Sequence, residues 1–266
     1  MSALQDRIAQ ARGEGRAALL GYLPVGYPDL ATSVAAVVAM VEGGVDVVEL
    51  GLPYSDPLMD GPVIQHAVEA ALTGGIRTRD VLGAVPQIAA TGAPVLLMTY
   101  WNLVDRYGVE RFAADLATAG GAGLITPDLI PDEAAEWVAA SDAHDLDRVF
   151  LVAPSSTPAR LRSTAAACRG WTYAASTMGV TGERARIGEH AERLVARTRE
   201  AGAARVCVGI GVSDGAQAAQ VAAYADGVIV GTAFVRALGA GGVGAVRDLA
   251  AELAEGVRAG RPAGAS

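Results

Sequence analysis

With 52% hydrophobic and 19% charged residues, the 266-residue chain has apolar surface for one sizeable core and too little charge bias for disorder. A formal charge of −8 and a pI near 4.9 would repel a phosphate backbone, and no basic stripe with interleaved aromatics offsets that, which excludes nucleic acid as a partner. Gly, Pro or charged residues interrupt every apolar run before the roughly 18 residues a membrane span needs, and the start is not signal-like, so no membrane association and a cytoplasmic location are expected.

In chain order, short β-rich runs alternate with Ala-rich helical segments, the pattern of βαβ units around a parallel sheet. Eight strands are expected, at residues 18–23, 45–50, 94–99, 123–126, 148–152, 171–175, 205–208 and 227–230. Their near-continuous apolar character, as in VDVVEL, PVLLM and GVIV, suits strands buried on both faces. Helix starts are marked by Asp29, by Pro131-Asp132-Glu133, by Pro158 and by Ser213-Asp214, and most helices end in Gly. An open doubly wound sheet has the same alternation, but even spacing without a mid-chain break favours closure. The expectation is a single (β/α)8 TIM barrel over residues 1–266, with an Ala/Gly-rich tail fraying after about residue 258.

Barrel enzymes keep their chemistry at the carboxyl ends of the strands. The second strand places Glu49 in an apolar run, with Asp46 three residues away on the opposite face. A carboxylate there is costly to bury unless protonated, paired or used, so Glu49 is either a core acid in an internal ion pair or a catalytic group. The loop that follows, GLPYSDPLMDGP, carries Asp56, Asp60 and three prolines that restrict it. Those two acids read either as turn or cap residues before a helix at 63–72, or as part of a preorganised site.

Late in the chain, GIGVS at 209–213 and Gly231-Thr232 run from strands into glycine-rich turns at the usual phosphate position of this architecture, although plain tight turns have the same composition. The first of them is not a dinucleotide fingerprint, since Asp214 stands at the third glycine. After the sixth strand, STMGVTG with GERAR is long enough for a lid, or for a merely disordered loop.

All 21 basic residues are Arg, and without a lysine the chain cannot form an imine with a carbonyl substrate or pyridoxal phosphate, nor complete a Walker A loop. His66, His144 and His190 lack metal-ligand spacing, and Cys168 and Cys207 sit beside apolar segments as buried thiols do, so no metal and no disulfide are expected.

Together these pieces resemble the tryptophan synthase α-subunit family: ELGLPYSDPLMDGPVIQ from Glu49 to Gln65 matches its signature after the second strand, and GVTG at 179–182, GIGVS and Gly231-Thr232 follow in order over essentially the whole chain. The resemblance implies retro-aldol cleavage of indole-3-glycerol phosphate into indole and glyceraldehyde 3-phosphate, with Glu49 as general acid and base and Asp60 hydrogen-bonded to the indole N–H. An apolar setting would raise the Glu49 pKa while Asp60 stays ionised. It further implies that Tyr22 and Tyr173 line the substrate, that Gly182, Gly211, Gly231 and Thr232 supply phosphate-binding amides with Ser213 nearby, and that Thr181 closes with the lid.

The same resemblance implies an α2β2 assembly with a pyridoxal-phosphate β subunit, met around Asp56, Pro57, Asn102 and Pro131, and no cofactor in this chain. Tyr54, Met59, Thr177 and Thr232 stand where the family more often has Phe, Ala, Arg and Ser, and none of these removes an acid or a phosphate amide. A stand-alone indole-glycerol-phosphate lyase would share every catalytic residue, while a catalytically silent scaffold subunit would not need both acids. The related indole-glycerol-phosphate synthase depends on lysines that are absent here.

Overall fold

The computed structural model describes residues 2–176, 184–209 and 211–260, without the side chains of 184–187. Eight strands, β1 (Ala18–Pro24), β2 (Val47–Gly51), β3 (Val95–Met98), β4 (Gly123–Thr126), β5 (Asp147–Val152), β6 (Thr172–Ala175), β7 (Val206–Gly209) and β8 (Gly227–Val230), close into a barrel in chain order. All eight neighbouring pairs are parallel, β8 returning to β1. The expected strands are therefore present, two of them, β4 and β8, with the expected bounds and the rest with ends displaced by one or two residues. Thus β2 starts at Val47 rather than at 45, because Val45 N–H still donates to the Met40 carbonyl in the turn leaving the preceding helix.

Helix α1 (Ala3–Gly13) precedes the barrel. Helices α2 (Leu30–Glu42), α3 (Pro62–Thr73), α4 (Thr78–Ala89), α5 (Trp101–Tyr107), α6 (Val109–Thr118), α7 (Ala135–Ala143), α8 (Pro158–Ala167), α9 (Arg184–Glu200), α10 (Gly215–Ala222) and α11 (Thr232–Ala259) follow in order. Two start signals act as caps, Asp29 accepting from Thr32 N–H and Asp214 from Gln217 N–H, both at 2.8 Å, and a third, Pro158, is the first residue of α8, whose cap is Thr157, accepting from Arg160 N–H at 3.2 Å. The fourth acts differently, since Pro131–Glu133 forms its own 3₁₀ turn and α7 begins two residues later. The expected frayed tail falls largely on residues 261–266, outside the described residues.

Strand alternation sorts side chains into two apolar layers. Val48 and Leu50 join the shell between barrel and helices, whereas Val47 joins an inner cluster with Leu20, Leu96, Ile125 and Val149. Leu4, Ile8 and Ala11 of α1, spaced to share one helix face, belong to that inner cluster, so α1 stoppers the amino-terminal end of the barrel. The substrate-sized opening is thereby left to the opposite end, where the strands finish.

Candidate active site

A cleft of about 370 Å³ opens at the carboxyl ends of the strands. Glu49, Tyr22 and Tyr173 form its inner wall and Asp60 part of its outer one, while Gly211, Gly231 and Thr232 lie on the same lining. A second cavity of equal volume lies at the other end, but its Arg16 and Arg199 are already paired with Asp46 and Asp226.

The two acids of the second strand have opposite fates. Asp46 turns outward and is held by Arg16, at 2.6 and 2.9 Å, and by Leu19 N–H at 2.9 Å. Glu49, inward at a register directly beside Tyr22, is 0% exposed, and neither of its oxygens has a hydrogen-bond partner among the described residues. The internal ion pair that would make it a satisfied core acid is absent among those residues. Burial alone raises its pKa to about 8, so at neutral pH it keeps its proton.

Asp60 sits in the loop after β2, half-buried, ahead of Gly61 and the Pro62 start of α3. Gly61 is the N-cap, so Asp60 does not cap the helix. Burial raises its pKa too, while its place just ahead of the α3 N-terminus suits an anion. The two carboxyls differ in degree: one is dry and unpartnered, the other on the lip of the cleft.

Tyr22 and Tyr173 reach the cleft because they lie over glycines. A Cβ on Gly51 would collide with the hydroxyl end of Tyr22, and a Cβ on Gly209 with that of Tyr173, so each phenol occupies the space a side chain on the neighbouring strand would take. Neither hydroxyl has a partner among the described residues, and burial, joined by the charges of Glu49 and Asp60, raises both phenols far above the ordinary range. Both are protonated donors facing the cavity.

Also on this lining, Gly211 adopts φ 80°, a left-handed conformation open to glycine, and Gly231-Thr232, with Gly231 against the Tyr22 ring, starts α11, whose first amides have no intrahelical acceptor. That is a receptor for an anion. Ser213 departs from the expectation: its N–H and hydroxyl both donate to Gln217 Oε1, at 2.9 and 3.2 Å, and it is off the cleft lining. Thr181 and Gly182, with the rest of 177–183, lie outside the described residues.

Asp56 and Pro57 after β2, Asn102 after β3 and Pro131 after β4 come from adjacent strands on one rim, all at least partly exposed. Next in the chain after Pro57, Leu58 and Met59 stand 79% and 51% exposed, and Met59 also lines the cleft. The sequence reading passed over the apolar wall made by Met98, Leu151 and Ile229, and over Tyr100 and Gln65, which hold the Asp60 loop. Inward alternation on each strand would have found the wall; no local pattern marks the loop contacts.

The geometry has counterparts among known proteins. The family model described as "Tryptophan synthase alpha chain" matches residues 8–258. A tryptophan synthase alpha chain of Leifsonia xyli subsp. xyli is 62% identical over 257 residues, covering 96% of this chain and 98% of the relative. A structure of Mycobacterium tuberculosis tryptophan synthase superposes with a TM-score of 0.91 at 58% identity, covering 97% of this chain and 98% of that one. A tryptophan synthase alpha chain structure from Legionella pneumophila gives a TM-score of 0.86 at 30% identity, with 97% of each chain covered.

Proposed function

From the premise that the chain belongs to the tryptophan synthase alpha chain family, we propose how its residues divide the work of cleaving indole-3-glycerol phosphate to indole and glyceraldehyde 3-phosphate. Glu49, protonated at neutral pH, gives its proton to C3 of the indole ring. Asp60 accepts a hydrogen bond from the ring N–H and stabilises the positive charge that appears there. Glu49, now a carboxylate, takes the proton of the side-chain hydroxyl next to the ring. The C–C bond breaks, its electron pair restores the aromatic ring, and the hydroxyl carbon leaves as an aldehyde. The ring is the electron sink, so this lyase reaction needs neither a metal nor an imine, in keeping with a chain without lysine.

The observation that carries the reading is Glu49 at the carboxyl end of the barrel, fully buried, unpartnered among the described residues, with its pKa raised to about 8, lining one cleft with Asp60. Tyr22 and Tyr173 pack the indole, while amides of Gly182, Gly211, Gly231 and Thr232 hold the phosphate; Ser213 assists only by letting go of Gln217. Thr181 closes over the acids with the lid.

The partner is the tryptophan synthase β subunit, in an α2β2 assembly that supplies pyridoxal phosphate on its own side and is met at Asp56, Pro57, Asn102 and Pro131. The exposed Leu58, next in the chain to Asp56 and Pro57, favours such a partner over a stand-alone lyase. We place the protein in the cytoplasm, where its role is tryptophan biosynthesis; no helix among the described residues is long and apolar enough to cross a membrane. The deciding experiment is release of indole from indole-3-glycerol phosphate by the purified chain, alone and with a β subunit. No indole in either case would refute the assignment, and full activity in isolation would favour the stand-alone lyase.

A further inference from the structure

The roles just assigned require Asp60 to face the cleft, yet it sits in irregular chain between β2 and α3. From Pro53 to Asp60 the described backbone makes three hydrogen bonds, all of them to side chains outside the segment. Leu58 N–H and Met59 N–H both donate to the hydroxyl oxygen of Tyr100, at 3.0 Å each. The Asp60 carbonyl accepts from Gln65 Nε2 at 2.8 Å. Asp60 is thus bracketed, its preceding amides gripped by a phenol and its own carbonyl by a carboxamide.

We infer that Tyr100 and Gln65 are positioning residues for Asp60, a two-point clamp that aims its carboxylate into the cleft from a segment without other backbone anchors among the described residues. The inference rests on the catalytic role proposed for Asp60. Neither clamp residue lines the cleft, so each acts through the loop rather than on substrate.

Both are built into rigid parts of the fold, as such supports must be. Tyr100 follows β3 and is the N-cap residue of α5, only 5% exposed, its ring 5.1 Å from that of Tyr54. The next amide, Trp101 N–H, is fixed by the Asp128 carboxylate at 2.9 and 3.1 Å. Gln65 stands in the first turn of α3, with its N–H on the Gly61 carbonyl at 2.9 Å. Two donors already converge on the Tyr100 oxygen, and burial, with the charge of Asp60 behind it, keeps the phenol protonated. A phenylalanine at 100 would preserve the ring and its packing while leaving two consecutive amides without an acceptor.

The test compares the wild-type chain with Tyr100→Phe and Gln65→Met, reading amide hydrogen exchange across the loop, melting temperature, and kcat and KM for indole-3-glycerol phosphate separately. Tyr100→Phe should speed exchange at Leu58 and Met59 and lower kcat on the order of ten- to a hundredfold, with KM changed less because the phosphate grip is untouched. Gln65→Met should lower kcat in the same direction at an almost unchanged melting temperature. Wild-type kcat in Tyr100→Phe, or undiminished protection of both amides, would overturn the inference. Absence of cleavage by the wild-type chain would count against the proposed reaction alone, and the exchange data would still decide whether the phenol holds the loop.

Discussion

At the scale of the residue, Glu49 is a group whose usefulness and whose cost share one cause. A fully buried carboxyl, unpartnered among the described residues, holds its proton up to about pH 8, which makes it an acid at neutral pH. Because its folded pKa lies above the unfolded value near 4.5, the native state binds the extra proton between those limits, and stability falls as pH rises through that window. Glu49→Gln removes the titration, so it should be more stable than wild type by a few kcal/mol at pH 9 and much closer to it at pH 5, as read by urea unfolding at the two values. Equal stability at both would mean that Glu49 is not a dry acid.

In catalysis the sign reverses. Glu49→Gln should lower kcat by several orders of magnitude and leave substrate binding nearly intact, with Asp60→Asn also impaired. In the wild type, kcat/KM should decline above about pH 8, where Glu49 loses its proton. The low-pH limb belongs to Asp60, whose burial-raised pKa moves it upward, and that limb should vanish in Asp60→Asn. Near-normal turnover of Glu49→Gln would defeat the acid-base role.

At the scale of the element, the division of labour runs along the barrel axis. Helix α1 works at the bottom, where Ile8 is 1% exposed among the inner side chains, far along the strands from the Glu49 end. Ile8→Ala should cost about 2–4 kcal/mol in urea unfolding through the cavity it leaves, with kcat close to wild type under native conditions. A large loss of kcat without loss of stability would show that the two ends of the barrel are coupled. The loop after β2 works at the top, and it behaves as an element only because side chains from α3 and from the end of β3 hold it. Its prolines restrict its conformations, but they do not aim Asp60.

For the whole molecule, closure of the sheet puts the ends of β2, β3 and β4 side by side, so residues far apart in sequence share one rim with an exposed apolar tip. Leu58→Asp at that tip should leave stability within about 0.5 kcal/mol, since Leu58 is 79% exposed and its backbone donor is unchanged. It should weaken association with a β subunit at least about tenfold, measured by gel filtration and titration, while basal cleavage persists. Undiminished association would move the partner surface elsewhere.

The barrel was legible in the amino-acid order, because eight apolar runs that must be buried on both faces, alternating with helices, leave few other arrangements. That order also determined which acids to look at and what chemistry to exclude, since residue identity alone rules out imine formation without lysine. It took the folded arrangement to show that Asp46 is paired while Glu49 has no partner among the described residues, that Ser213 donates to Gln217, and that Tyr100 reaches back 41 and 42 residues to hold the chain beside Asp60. Those facts depend on which groups come within 3 Å of one another or of water. Periodicity fixes the face of an element but not what another element lays against it.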